Sequence, residues 1–218
     1  MGAMNTEAPG IPAPPDTPLA RRTLDFVTRE ESPAVAHHSI RSALFARMLA
    51  DHRGAEPGRD YDPLLLFLAC VLHDIGLSDI GNRHQRFEVD GADTAAEFLT
   101  RQNLPGAQVD AVWEAIALHT SPGIAERRGA LCELVRAGVG VDIGLGGEFV
   151  TEAAAAAMHA AYPRLSMATA LTDEIVAQVR SCPEKAPPYS LPAELLRERS
   201  TPPHRSLLEE AEAARWGR

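Results

Sequence analysis

The residues able to do chemistry in this chain sit at the ends of stretches that have no other reason to turn polar. From Leu64 to Leu72 the sequence is apolar without interruption, and His73 and Asp74 follow directly. A segment with no polar face belongs in a protein interior, so this imidazole and carboxylate arrive buried and need a partner. A metal ion suits the two together. Three other stretches deliver ionisable groups to inward faces. The stripe Leu131, Leu134, Val135, Val139 continues to Asp142, and the stripe Val109, Val112, Trp113, Ile116 continues to His119 and then Thr120. His38 shares a helical face with Arg41, and Phe45 carries that face toward the core. One shared polar centre makes these intrusions inexpensive, and a metal site inside a helical bundle is the simplest such centre.

The predicted ligand set is His38, His73, Asp74 and Asp142. Nitrogen and oxygen donors without thiolate suit zinc, iron, manganese, nickel or cobalt, and a single divalent ion, zinc first among these, is the expected cofactor. Glu88 and His119 are the candidate proton carriers, and Arg41 and Thr120 the candidate substrate-binding groups. Each has a plainer reading. His119 would be a core histidine bonded to a backbone carbonyl, Glu88 a carboxylate favoured in a helix's first turn, and Arg41 the partner of a ligand carboxylate. Asp90 and Asp93 read as a solvated first turn, and His84, between Arg83 and Arg86, as a solvated loop histidine.

Helices must position these groups. Alanine, leucine, glutamate and arginine dominate, and apolar positions recur every three to four residues almost throughout. The expected fold is all-α, with helices at 19–30, 34–53, 61–75, 88–102, 106–120, 127–141, 148–160 and 166–181. Glycine and proline clusters punctuate them. Residues 1–18 read as a disordered tail headed by a vector-derived remnant, residues 19–182 as the helical domain, and residues 183–218 as a proline-rich extension. A short helix within 204–216 would dock on the domain or on a second subunit, so a homodimer is expected.

Composition narrows the partners. The 218 residues carry a formal net charge of −9 and no basic cluster able to follow a phosphate backbone, so neither nucleic acid nor an anionic membrane is expected. A small molecule is the expected substrate. The three cysteines lie far apart among apolar neighbours, which fits reduced thiols. No apolar stretch reaches the roughly eighteen residues a membrane span requires, and no signal peptide precedes the proline-rich start, so the expected compartment is the cytoplasm.

The ordered set His38, His73-Asp74 and Asp142 resembles the HD-domain superfamily of metal-dependent hydrolases over about residues 34–146. Within it, His38-Ser39-Ile40-Arg41, the segment Leu68–Gly76, Phe87-Glu88 with Gly91, and Ala115–His119 resemble segments of the cyanamide hydratases. The resemblance implies an α-helical bundle, metal ligands at His38, His73, Asp74 and Asp142, and addition of water to a small nitrile-type substrate such as cyanamide, giving urea. Alternatives are a nucleotide or phosphomonoester phosphohydrolase, with Arg41, Arg83, Arg86, Arg127 and Arg128 supplying cations; a di-iron oxygenase, for which His84 and His119 would have to serve; and a non-catalytic metabolite sensor.

Overall fold

Proline opens each of the first three helices, where its missing N–H is no loss. Helix α1 spans Pro18–Glu30, α2 Pro33–His52 and α3 Pro63–Leu72. Asp62 caps α3, its carboxylate accepting from the amides of Leu64 and Leu65 at 2.8 and 3.0 Å. These and the following elements are those of a computed structural model that describes residues 10–200, 207–213 and 215. The chain continues through α4 (Phe87–Arg101), α5 (Gly106–Ala117), α6 (Ala130–Asp142), α7 (Glu152–Ala161), α8 (Met167–Ser181), α9 (Leu191–Ser200) and α10 (Leu207–Glu212). Among the described residues there is no strand beyond an isolated bridge between Pro57 and Tyr61. None of the helices there is long and apolar enough to cross a membrane.

The central helix is α2, which lies against α3, α6 and α8 and is buried on almost every face. That explains why its sequence shows little amphipathic contrast. The largest apolar cluster joins α1, α3, α4, α5 and α6, with Phe26 stacked on Phe98 at 4.3 Å between ring centres. A second joins α2 to α7, and a third, including Val35, Phe87, Ile175 and Leu195, lies where α8 and α9 close over α2 and α4.

Two helices end earlier than their apolar period predicts, and for one reason. Helix α3 stops at Leu72 rather than 75, and α5 at Ala117 rather than 120. In each, a histidine just past the end turns its own Nδ1–H back to the carbonyl three residues earlier: His73 to Cys70 and His119 to Ile116, both at 2.7 Å. The imidazole thus caps a terminal carbonyl in place of a further helical amide. After Asp74 the chain makes a short 3₁₀ turn over Ile75–Leu77. Gly76 is obligatory there, because a Cβ would lie 2.0 Å from the Phe87 carbonyl oxygen. This close approach sets the start of α4 against the His-Asp corner.

The C-terminal extension is more closely packed than its prolines suggest. Lys185 is 1% exposed and donates to Asp90 Oδ2 and Asn82 Oδ1, both at 2.7 Å. Asp90 is therefore buried, not part of a solvated turn, and it also accepts from the amides of Arg83 and Gln85 at 3.0 Å. Leu195 of α9 is buried in the third cluster. The expected terminal helix is α10, which docks on α8 of its own chain, with Arg164 donating to the Ala211 carbonyl at 3.0 Å and Thr169 to Glu212 at 3.1 Å. Of the expected tail, residues 1–9 lie outside the described residues, while Ile11 is seated in the second cluster. Residues 201–206, 214 and 216–218 also lie outside them.

Candidate metal centre

Three of the four predicted ligands meet. The Nε2 atoms of His38 and His73 lie 3.3 Å apart, and Asp74 Oδ2 lies 3.6 Å from the first and 3.1 Å from the second. Among the described residues, His38, His73 and Asp74 each offer one ligand atom within 4.8 Å of the others, and all three side chains are buried.

The hydrogen bonds behind the rings decide what they present. His38 Nδ1 donates to Asp142 Oδ2 at 2.6 Å, and His73 Nδ1 donates to the Cys70 carbonyl. With the hydrogen on each Nδ1, both Nε2 lone pairs face the shared space. Neither Asp74 oxygen has a hydrogen-bond donor there, despite complete burial. Two imidazole lone pairs and an unbonded carboxylate turned toward one point are a donor set that could hold a cation. The electrostatics agree. Burial pulls the His73 pKa down, but the Asp74 carboxylate outweighs it and the net shift is upward. Asp74 is held well below the carboxylate range, the histidines overcoming its burial. Positive charge is favoured here, whether a proton or an ion supplies it.

Asp142 stands behind this group and not within it. Arg41 grips its carboxylate with two bonds, Nε to Oδ1 at 2.7 Å and Nη2 to Oδ2 at 2.8 Å, and Oδ2 also receives His38 Nδ1–H. Asp142, expected as the fourth ligand, here bonds His38 and Arg41, the arrangement of a group that orients a ligand. Arg41, expected to hold substrate, is the partner of this carboxylate; it is 1% exposed and also donates to the Tyr162 and Pro163 carbonyls at 3.2 Å. No sequence pattern tells a carboxylate facing an ion from one facing a guanidinium a helical turn away.

His119 lies on the far side of Asp74 from His38, its Nε2 3.8 Å from Asp74 Oδ1. Burial and the neighbouring His73 lower its pKa to about 4, leaving the imidazole neutral with its Nε2 lone pair available. Glu88, expected as a proton carrier, is already engaged. It accepts from the Thr120 hydroxyl at 2.5 Å and from Arg86 Nη2 at 2.6 Å, and it does not line the cavity beside the centre. Thr120 does line it, so Glu88 positions Thr120. His84 is exposed and belongs to no ligand group among the described residues.

Sequence reasoning missed Glu31, which sits between helices and reads as a solvated junction. It is buried, accepts from Ser39 Oγ at 3.3 Å, and has its pKa raised well above the usual range by burial and by Asp74. Glu174 is raised for the same two reasons, burial and Asp74.

A cavity of about 240 Å³ opens onto His38, His73 and Asp74. His119 and Thr120 also face it; the rest of its wall is mostly apolar and comes from α4, α6, α8 and α9. Its one cationic side chain, Arg136, is paired with Glu126 at 3.1 Å.

Cyanamide hydratase DDI2 and cyanamide hydratase DDI3 of Saccharomyces cerevisiae are each 32% identical to the chain over 111 residues, which is 49% of this chain and 48% of either relative. The chain therefore aligns with about half the length of these curated relatives. A family model described as HD domain matches residues 35–187, a segment that holds His38, His73, Asp74, His119 and Asp142. That match covers well over half of the sequence, and the chain belongs to the HD domain family.

Proposed function

We propose that this chain is a metal-dependent hydratase that adds water to the carbon of a nitrile-type group, as in the conversion of cyanamide to urea. The observation that carries this reading is the cavity: it meets the His38–His73–Asp74 group with mostly apolar walls and no unpaired cationic side chain. A neutral substrate fits such a lining, whereas a phosphoryl group needs cations around its oxygens. Four of the five arginines that could have supplied them are committed elsewhere, Arg41 to Asp142, Arg83 to Glu97, Arg86 to Glu88 and Arg128 to Glu114, and the fifth, Arg127, is exposed and does not line the cavity. The names of the two yeast relatives support the same chemistry.

His38, His73 and Asp74 would hold the ion, and we assign zinc because two nitrogens and one oxygen leave its fourth position open. When bound, such an ion lowers the pKa of water from near 16 toward about 7 and polarises an acceptor atom. The protein groups do the rest. His119 Nε2, neutral and facing the cavity, accepts a proton from the attacking water as the new C–O bond forms. It returns that proton to the nitrogen that receives the electron pair of the broken C–N π bond. Thr120 gives its hydroxyl hydrogen to Glu88 and accepts from Arg86 Nη2 at 3.1 Å, so one lone pair of its oxygen is left for an N–H of the substrate. The remaining water-derived proton then moves from oxygen to the same nitrogen as the C=O bond replaces the second C–N π bond, giving the amide or urea, one water heavier than the substrate.

The test is a parallel assay of the zinc-loaded protein for urea release from cyanamide and for phosphate release from mixed nucleotides. Urea without phosphate is expected, and phosphate without urea would overturn the reading. Replacing His119 with Asn should lower kcat by about 10²–10⁴-fold, the usual contribution of a general base, with metal content unchanged.

A further inference from the structure

The cavity is much larger than cyanamide requires. Cyanamide has three heavy atoms, two of them polar nitrogens. A cavity of roughly 150 Å³ lined by aliphatic and aromatic side chains already takes up benzene, and this one holds about 240 Å³. Its polar groups are the metal-ligand side chains with His119 and Thr120, and Arg136 is neutralised by Glu126. Away from them, Phe87, Val139, Ile143, Leu171, Ile175 and Leu191 form walls with nothing for a small polar molecule to bond. Leu145, also in the lining, is 52% exposed and marks where the cavity meets solvent. Leu191 begins α9 and lies beyond the segment matched by the family model.

Accepting the hydratase reading above, we propose that the substrate carries an apolar body, a ring or a branched alkyl group of about the size of benzene. This body sits against α6, α8 and α9, and its nitrile-type head lies at His38, His73 and Asp74. For a substituted cyanamide the reaction balances as R–NH–CN plus H₂O giving R–NH–CO–NH₂: the C–O σ and π bonds of the new carbonyl replace the two C–N π bonds, and both water hydrogens end on the former nitrile nitrogen. Gly140 offers a way to fill the space. It lines the cavity, and a Cβ there would meet nothing nearer than Leu145 Cβ at 3.8 Å.

Two measurements test the proposal together. The first compares kcat/KM for N-phenylcyanamide and cyanamide with the zinc-loaded protein. The second follows the thermal midpoint of the metal-free protein as toluene is added. A phenyl preference of about tenfold or more is expected from the apolar area buried, together with a rise in midpoint with toluene. Both effects should shrink in Gly140→Phe, and again in Leu171→Trp, which fills the cavity from α8 should the first variant not fold. Hydration of cyanamide at least as efficient as that of its phenyl derivative, with no response to toluene, would overturn this inference and leave the hydratase reading standing. Stabilisation by toluene that is lost in the filled variants, with neither cyanamide hydrated, would overturn the hydratase reading and uphold the apolar-bodied ligand.

Discussion

At the level of single residues, the centre is organised by which nitrogen of each histidine carries hydrogen, and Asp142 shows the consequence. Its carboxylate bonds Arg41 twice and His38 once, so we propose that it would act on a metal through His38. Asp142→Asn should therefore still bind one ion per chain at saturation, with affinity reduced about 10–100-fold, as for other groups that orient a ligand. Elemental analysis across a titration checks this; loss of all metal at saturation would make Asp142 a direct ligand. The same variant strands the Arg41 charge in the interior, which should destabilise the fold by about 3–5 kcal/mol in denaturant titrations. Glu31 makes a prediction of opposite sign. Burial and Asp74 raise its pKa in the folded state above the unfolded value. Over the window between those two values the folded chain holds a proton that the unfolded chain releases, so stability falls as pH rises from about 4.5. Glu31→Gln has no proton to hold. In chelator, its stability should gain on the parent's as pH rises above about 4.5, by an amount on the order of 1 kcal/mol for each pH unit crossed inside that window. A constant difference across that range would show that Glu31 is not held protonated.

At the level of elements, the bond from His38 to Asp142 depends on how closely α2 and α6 approach, and glycine sets that approach. A Cβ at Gly138 would lie 2.5 Å from the Ser42 carbonyl oxygen and 2.6 Å from Ala46 Cβ, whereas one at Gly140 meets only ordinary contacts. Gly138→Ala should therefore destabilise the protein by about 1–3 kcal/mol through overpacking. Gly140→Ala, two residues along the same helix, should stabilise it by about 1 kcal/mol through helix propensity. Urea titrations of the pair read the difference directly, and equal effects would mean that α6 does not ride on α2 at Gly138. The helices themselves were legible because alanine-rich sequence with a 3.6-residue apolar period has few other folds. His73 and Asp74 were legible because nothing else explains charge at the end of an unbroken apolar run. The early ends of α3 and α5 were not, since they depend on imidazoles turning back to carbonyls, a choice of side-chain rotamer. Nor was the burial of Lys185, because prolines 183, 187 and 188 signal a break in regular structure and say nothing of packing.

At the level of the whole molecule, the centre lies where three helices end or cross, and so the ion should be tied to the stability of the whole bundle. His38 comes from α2, His73 and Asp74 from the corner after α3, and the carboxylate that orients His38 from the end of α6. The unfolded chain cannot bring these groups together, so an ion binds the folded state and stabilises it by RT ln(1 + [M]/Kd), about 2.7 kcal/mol at a hundredfold excess over Kd. Removing the ion leaves the buried Asp74 carboxylate balanced only by a proton on His73, whose Nε2 lies 3.1 Å from Oδ2. Chelation should therefore lower the thermal midpoint by several degrees, and adding back zinc should restore it in a concentration-dependent way. In Asp74→Asn the carboxylate that calls for the cation is absent, so the metal-free midpoint should move little and the response to zinc should vanish. Were the parent's midpoint indifferent to both chelator and zinc, the His38–His73–Asp74 group would be a buried polar cluster stabilised by its own proton, and the hydratase reading would lose its centre.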